Sequence, residues 1–267
     1  MDNIERIENE ETTREERVVI APLTFELDIE GESYSVVDCD KEVVTVTIPH
    51  DVNGLPVRAV GGRAFEYCTK LVRVDFPESE GEDIWEGRCL KEIGDNAFMG
   101  CRSLVTVELP FHVDFIGHGA FYCCSSLVKA EFPEFAHVSP YAFADCSSLV
   151  EVTTPIGLPE GVFADCTSLT EAPISDGIYT IGESAFARCT ALTSVTIPAS
   201  VKCIEALAFR SCVGLRSVKF ENPEGWYSEN RYFEGKAYLD LKNPEDCARW
   251  LAYMDFDDGV IWWKRNG

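Results

Sequence analysis

The twelve cysteines and four histidines are the side chains of this sequence with the clearest chemical potential. Thiolates and imidazoles are common ligands of zinc, and paired thiols form disulfides. The sequence contains neither Cys-x-x-Cys nor His-Glu-x-x-His, the spacings typical of zinc knuckles, redox dithiols and zinc proteases. The histidines, His50, His112, His118 and His137, are expected in exposed loops. We therefore predict no metal site and no cofactor.

Seven of the cysteines belong to one recurring motif, Phe-x-x-Cys-x-x-Leu. The motif cysteines are Cys68, Cys101, Cys124, Cys146, Cys166, Cys189 and Cys212. Because they share one position in a repeat, they should stack as a ladder of small buried thiols that pack like apolar side chains. Adjacent Cα atoms would lie about 5 Å apart, within disulfide range, but parallel side chains of one ladder rarely reach the required torsion. So many free thiols favour a reducing compartment or an anaerobic organism.

Familiar catalytic motifs do not occur in the sequence. It has no Gly-x-Ser-x-Gly, no glycine-rich phosphate loop with lysine and no Asn-x-Ser/Thr glycosylation site. Carboxylates are so numerous that no catalytic pair can be singled out. We predict no catalytic residues; an enzyme remains an alternative, and it would need a concave pocket with converging polar groups.

The spacing of the motif predicts the elements that position these side chains. The motif phenylalanines are Phe65, Phe98, Phe121, Phe143, Phe163, Phe186 and Phe209, separated by 20 to 33 residues. Each unit also carries a segment such as Leu192-x-x-Val195-x-Ile197-Pro198, whose alternation predicts a strand that is buried on one face and ends at proline. One unit cannot bury its own apolar edge. Stacked units should therefore form a parallel ladder with strands about 4.8 Å apart and the phenylalanines in a core row.

The full pattern, Leu-x-x-Val-x-Ile-Pro followed by Ile-Gly-x-x-Ala-Phe-x-x-Cys-x-x-Leu, resembles the BspA-type leucine-rich repeats of bacterial surface antigens. The resemblance covers residues 43–220. It implies a right-handed solenoid whose short strands line one face. It also implies adhesion-like or protein-binding roles, typically in gut, oral or parasitic microbes and usually at the cell surface.

We predict a leucine-rich-repeat solenoid of about eight repeats, with short parallel strands on one face and loops or 3₁₀ turns on the other. The expected divisions are an N-terminal acidic tail and β cap at 1–42, the repeat array at 43–220 and a C-terminal cap at 221–267. One or two strands with a turn at Gly31 should build the first cap. Asn243-Pro244 followed by two acidic residues predicts a helix over about 244–254 in the second.

Two units depart from the repeat. Residues 78–90 lengthen the first spacing, and this acidic insertion with Trp85 is either a contact arm or a solvated loop whose tryptophan folds back onto the coil. Pro173 arrives two residues early in its unit, which predicts a local irregularity in the strand ladder.

Tryptophan is concentrated near the C-terminus. An exposed cluster of Trp85, Trp226, Trp262 or Trp263 would indicate a carbohydrate-binding surface protein, the second function that we consider. The other interpretation is that the C-terminal tryptophans cover the apolar end of the solenoid.

The charge balance restricts the kind of partner. With 46 acidic against 23 basic residues, the formal net charge of -23 repels nucleic acid and anionic lipid, so we predict no nucleic-acid binding. No apolar run is long enough for a transmembrane helix, so we predict no membrane insertion, and we expect a monomer. We expect a cytoplasmic location if the chain is complete as written, and the cell surface or secretion if a signal peptide was removed.

The residues that flank the inward position of each strand form the candidate docking surface. The acids expected along its middle are Asp75, Glu108, Glu131, Glu151 and Glu171, with Arg73 and Lys129 beside them. We predict that this acidic stripe of a protein-binding module docks a protein partner that is basic or of the extracellular-matrix type. The alternative is a solvated sheet face that carries charge only to block aggregation.

Overall fold

The computed structural model describes residues 17–76, 88–230, 233–238, 241, 243–253 and 261–265. The chain forms a β-solenoid of about eight turns with one helix, which confirms the predicted leucine-rich-repeat fold. No helix among these residues is long and apolar enough to cross a membrane.

Seven short parallel strands form the first ladder of the solenoid. They are β4 (Thr45–Thr47), β7 (Arg73–Asp75), β9 (Thr106–Glu108), β11 (Lys129–Glu131), β13 (Glu151–Val152), β15 (Ser194–Ile197) and β17 (Ser217–Phe220). Hydrogen bonds join β4 to β7, β11 to both β9 and β13, and β15 to β17. The gap between β13 and β15 is the unit that contains Pro173, so the predicted irregularity is present.

A second ladder lies where the sequence predicted loops or 3₁₀ turns. Its strands are β6 (Leu55–Val60), β8 (Glu92–Ile93), β10 (Phe115–Ile116), β12 (His137–Val138), β14 (Thr180–Ile181) and β16 (Cys203–Ile204). Most have only two residues, which is too short to produce a periodic pattern. The glycine that follows many of them allows close stacking, since a Cβ on Gly94 would lie 2.7 Å from the Gly62 nitrogen.

The motif side chains fill the interior between the ladders. All seven motif phenylalanines are buried and stack in one row, with successive ring centroids from 4.8 Å to 5.8 Å apart. Each motif cysteine after the first donates its S–H to a phenylalanine carbonyl of the preceding coil; the Cys101 Sγ to Phe65 O distance is 3.1 Å. The predicted core row and thiol ladder are therefore confirmed.

The turn that carries Ala-Phe connects the second ladder back to the first. In every motif coil, two turn residues have the left-handed backbone conformation, for example Asn96 at φ 56° and Gly100 at φ 71°. These turns also bond between coils, because the amide of each motif phenylalanine except the last donates to a carbonyl of the next coil. All three sides of a coil thus contribute backbone hydrogen bonds along the solenoid axis.

Antiparallel strands cap the N-terminal end. The cap strands are β1 (Arg17–Ile20), β2 (Leu23–Leu27), β3 (Tyr34–Cys39) and β5 (Asp51–Val52). Strand β3 runs parallel to β6 and so joins the cap to the second ladder, while β5 pairs antiparallel with β6. The structure has one more strand before residue 40 than the one or two expected, and the expected turn is closed by Gly31 N donating to Asp28 O.

The C-terminal end is closed by a helix and three strands. They are α1 (Pro244–Tyr253), β18 (Trp226–Asn230), β19 (Phe233–Tyr238) and β20 (Ile261–Arg265). Helix α1 begins as predicted, with the Asn243 side chain accepting a hydrogen bond from the Glu245 amide at 3.0 Å. Strand β20 pairs antiparallel with β16, and Ser211 N donates to Ala252 O of the helix. These contacts replace those that a further coil would make.

Candidate functional site

Outward side chains of the first ladder form two parallel rows. Row A precedes the inward residue of each strand and contains Thr45, Arg73, Thr106, Lys129 and Glu151. Row B follows the inward residue and contains Thr47, Asp75, Glu108 and Glu131. The two rows together with the flanking positions of β15 and β17 are called the strand face below.

The five acids predicted as one stripe are divided between these rows. Asp75, Glu108 and Glu131 share row B, but Glu151 is the register partner of Lys129 in row A. Glu171 is exposed in the irregular coil, outside any strand. The single acidic stripe is therefore corrected to a face with mixed rows, because residues on both sides of an inward residue point outward on neighbouring lines.

The cations of the strand face lie against its acids. Lys129 Nζ is 2.8 Å from Glu131 Oε1 and 4.0 Å from Glu108 Oε1, and the hydrogen bond to Glu131 raises the pKa of the lysine. Arg73 Nε donates to Asp75 Oδ1 at 2.6 Å. All of these groups face solvent, so the ion pairs are weak and can be exchanged for pairs with a partner.

A line of exposed valines borders row A. Its members are Val44, Val72, Val105, Val128 and Val150, each 40–52% exposed. Four of them follow a buried leucine, and Val44 follows the partly buried Val43. One edge of the strand face is therefore apolar over five coils.

An aromatic patch lies at the opposite edge of the strand face, in the turns that leave β9 and β11 and in the strands β10 and β12 that follow these turns. It consists of Phe111, His112, Phe115, Phe135 and His137. The Phe111 and Phe135 rings meet edge to face at 5.1 Å, although 69% of Phe111 and 47% of Phe135 are exposed. The Phe115 and His137 rings stack at 5.7 Å. Sequence reasoning missed this patch because it considered only strand positions; the signal was a phenylalanine within two residues of Pro110 and Pro133.

The tryptophans described at the C-terminal end belong to the cap. Trp226 and Trp263 are buried, and Trp226 Nε1 donates to the Asn222 carbonyl at 3.0 Å. Trp250 is half-buried and its ring centroid lies 6.5 Å from that of Trp263. The alternative prediction of an exposed sugar-binding platform that uses Trp226 and Trp263 is therefore wrong. Trp85 and the side chain of Trp262 lie outside the described residues.

The described cysteines and histidines do not assemble a reactive centre. Within the described ranges, no group of three or more His, Cys, Asp or Glu residues could hold a metal ion. Burial raises the pKa of the Cys101 and Cys212 thiols to about 12, so these thiols are protonated at neutral pH and are poor nucleophiles. Two histidines, His112 and His137, contribute rings to the aromatic patch instead.

Comparison with known proteins assigns the chain to a family. The family model of the BspA type leucine rich repeat region matches residues 83–160 and 156–244, with six copies of the repeat. The chain therefore belongs to the BspA-type leucine-rich repeat family. A search of curated proteins gave no match.

Two solved bacterial structures are similar to this chain. The leucine rich repeat protein of T. pallidum is 25% identical, with a TM-score of 0.51 over 66% of this chain and 91% of that chain. A leucine-rich repeat protein from Eubacterium ventriosum is 24% identical, with a TM-score of 0.58 over 74% of this chain and 50% of that chain. The second likeness supports the fold alone, and this chain spans half of that protein's structure.

Proposed function

We propose that this protein is a non-catalytic binding module that docks another protein on the strand face. One observation carries the proposal: the first ladder presents two outward rows of polar and charged side chains along the solenoid. Membership of a repeat family consistent with protein interaction supports the same conclusion. The module would act as a monomer with its own core and two caps.

The chemistry of the strand face favours a basic partner. Acids outnumber cations among its predicted contact residues, and Lys129 is already shared between Glu108 and Glu131. A partner that brings lysine or arginine side chains would add pairs without displacing buried groups, because the face is solvated. Such complementarity raises the association rate most strongly at low ionic strength.

Capture from lysate tests this proposal. The immobilised protein is exposed to native lysate and, separately, to purified extracellular-matrix proteins, at low and high salt. A variant with Glu108→Lys, Glu131→Lys and Glu151→Lys reverses the charge of the strand face. We expect a partner that binds the native protein, is released by salt and is lost in the variant.

A matched control reverses three acids near the second ladder. The substitutions Glu92→Lys, Glu160→Lys and Glu183→Lys change the net charge equally, but Glu92 lies in β8, Glu160 in the turn after Leu158 and Glu183 just after β14. Retention in this control and loss in the first variant would assign binding to the strand face. Equal loss in both would mean that only net charge matters, and retention in both would move the site elsewhere, for example to the insertion with Trp85 or to the C-terminal cap.

A further inference from the structure

The fold does not require an aromatic side chain at the position of Phe111. In the turn that leaves β9, Val113 N donates to Pro110 O at 3.0 Å. The turn that leaves β15 has the same bond, from Val201 N to Pro198 O at 3.1 Å. Ala199 follows Pro198 where Phe111 follows Pro110. Since alanine supports the same turn, the Phe111 ring is not needed to build it.

The contact of these rings with water is unfavourable in free energy. Phe111 and Phe135 keep 69% and 47% of their surface exposed while touching each other across two coils. Single exposed apolar side chains are ordinary, but a contiguous group marks an interaction site. Aromatic side chains, phenylalanine included, are also enriched in protein interfaces relative to the rest of the surface. The patch therefore has the composition of an interface anchor.

The chain segment that carries the patch is mostly negative, and Lys91 from outside this segment lies 4.0 Å from Asp114. From residue 108 to residue 137 the chain has four acids, Glu108, Asp114, Glu131 and Glu134, and one lysine. That lysine, Lys129, lies within 4.0 Å of both Glu108 and Glu131. Glu134 adjoins Phe135 directly in the chain and is exposed. A ligand at this edge thus meets aromatic faces and carboxylates together.

We propose that the aromatic patch binds an arginine of the protein partner, next to an apolar side chain of the same segment. A guanidinium stacks on an aromatic face and at the same time donates hydrogen bonds to a carboxylate. An ammonium group is more strongly hydrated and forms the stacked contact less well. This inference rests on the proposed function and adds the anchor residues and the chemistry that they recognise.

Defined peptides test the chemistry of the patch. Biotinylated Gly-Ser-Arg-Phe-Arg-Gly-Ser, immobilised on a biosensor surface, is compared with peptides that carry lysine or glutamate in place of both arginines. We expect the protein to bind the arginine surface, to bind the lysine surface about tenfold more weakly and to ignore the glutamate surface. Equal binding to arginine and lysine would overturn the stacked contact.

Variants of the chain locate the contact. In Phe111→Ala with Phe135→Ala, binding to the arginine peptide should fall at least about tenfold, while the melting temperature stays close to the native value. The control, Ile29→Ala with Tyr67→Ala, removes two exposed apolar side chains from the N-terminal part of the chain and should bind normally. Unchanged binding in the phenylalanine variant would overturn the inference.

The outcomes also separate this inference from the proposed function. If the charge-reversed strand face loses its lysate partner but the phenylalanine variant keeps it, the strand face stands and the aromatic anchor is refuted. If the phenylalanine variant alone loses the partner and the arginine peptide, the anchor stands without the acidic rows. A protein that binds none of the peptides refutes the anchor, while lysate capture still decides the function.

Discussion

Coupling between Phe132 and Phe143 is the sharpest test of how the core is held together. Phe143 is buried in the motif row, between Phe121 at 5.2 Å and Phe163 at 5.8 Å. It has a third aromatic neighbour, Phe132, whose ring stacks at 5.4 Å with an interplanar angle of 15°. In the preceding coil, Leu109 occupies the position of Phe132. An aliphatic side chain is therefore acceptable to the fold at this place.

The magnitude follows from these contacts. Truncation of Phe143 to alanine should cost about 3–5 kcal/mol, because the side chain is fully buried among neighbours that cannot collapse onto it. Replacement by leucine keeps most of the apolar volume and isolates the ring contact. For the pair Phe132→Leu and Phe143→Leu we expect a coupling free energy of about 0.5–1.5 kcal/mol, the usual contribution of an aromatic pair.

A double-mutant cycle measures this coupling. The free energy of unfolding is obtained from denaturant titrations, followed by far-ultraviolet circular dichroism, for the native protein, both single variants and the double variant. The control cycle combines Phe132→Leu with Phe186→Leu, which lies two coils further along the row and should be additive within about 0.5 kcal/mol. If the coupling of Phe132 with Phe143 is no larger than that of the control, the rings act only as apolar volume.

Three other predictions follow from the turns and the thiols. Cys146→Ala should lower the free energy of unfolding, measured by denaturant titration, by about 1–2 kcal/mol, because it removes the hydrogen bond from Sγ to Phe121 O. The Phe121 carbonyl still accepts a hydrogen bond from the Cys124 amide, so the loss should not be larger. An unchanged free energy would show that the thiol only fills space. Leu207→Gly should raise the free energy of unfolding by about 0.5–1 kcal/mol, because Leu207 has φ 59° and glycine relieves that conformation; a lower melting temperature would contradict this. Burial raises the pKa of the Cys101 and Cys212 thiols to about 12, so these groups ionise first in the unfolded chain; their contribution to stability should be constant below about pH 8.5 and be lost as pH rises towards 12, and denaturation at pH 7 and 10 checks the sign.

The sequence predicted most reliably the structural features that recur in every coil. Seven copies of one motif identified the buried phenylalanine row and the thiol ladder, because the same physical requirement recurs in every coil. The second ladder escaped because strands such as β8 and β10 have two residues, and a period of two cannot be recognised in a single step. The prediction of a single acidic stripe was wrong by one position, because Glu151 precedes the inward Val152, whereas Glu131 follows the inward Ala130.

Specific binding in a repeat protein depends on residues that break the repeat. Positions such as the motif phenylalanines are fixed by stacking and therefore carry no information about a partner. Phe111 and Phe135 are different, because the turn with Ala199 shows that the fold does not need an aromatic ring there. The same reasoning applies to row A, where Lys129 has threonine and glutamate as its register partners, Thr106 and Glu151. Where one coil exposes a large side chain to water and the equivalent coils carry a smaller one, stability does not explain the larger side chain. Recognition is the explanation that remains to be measured.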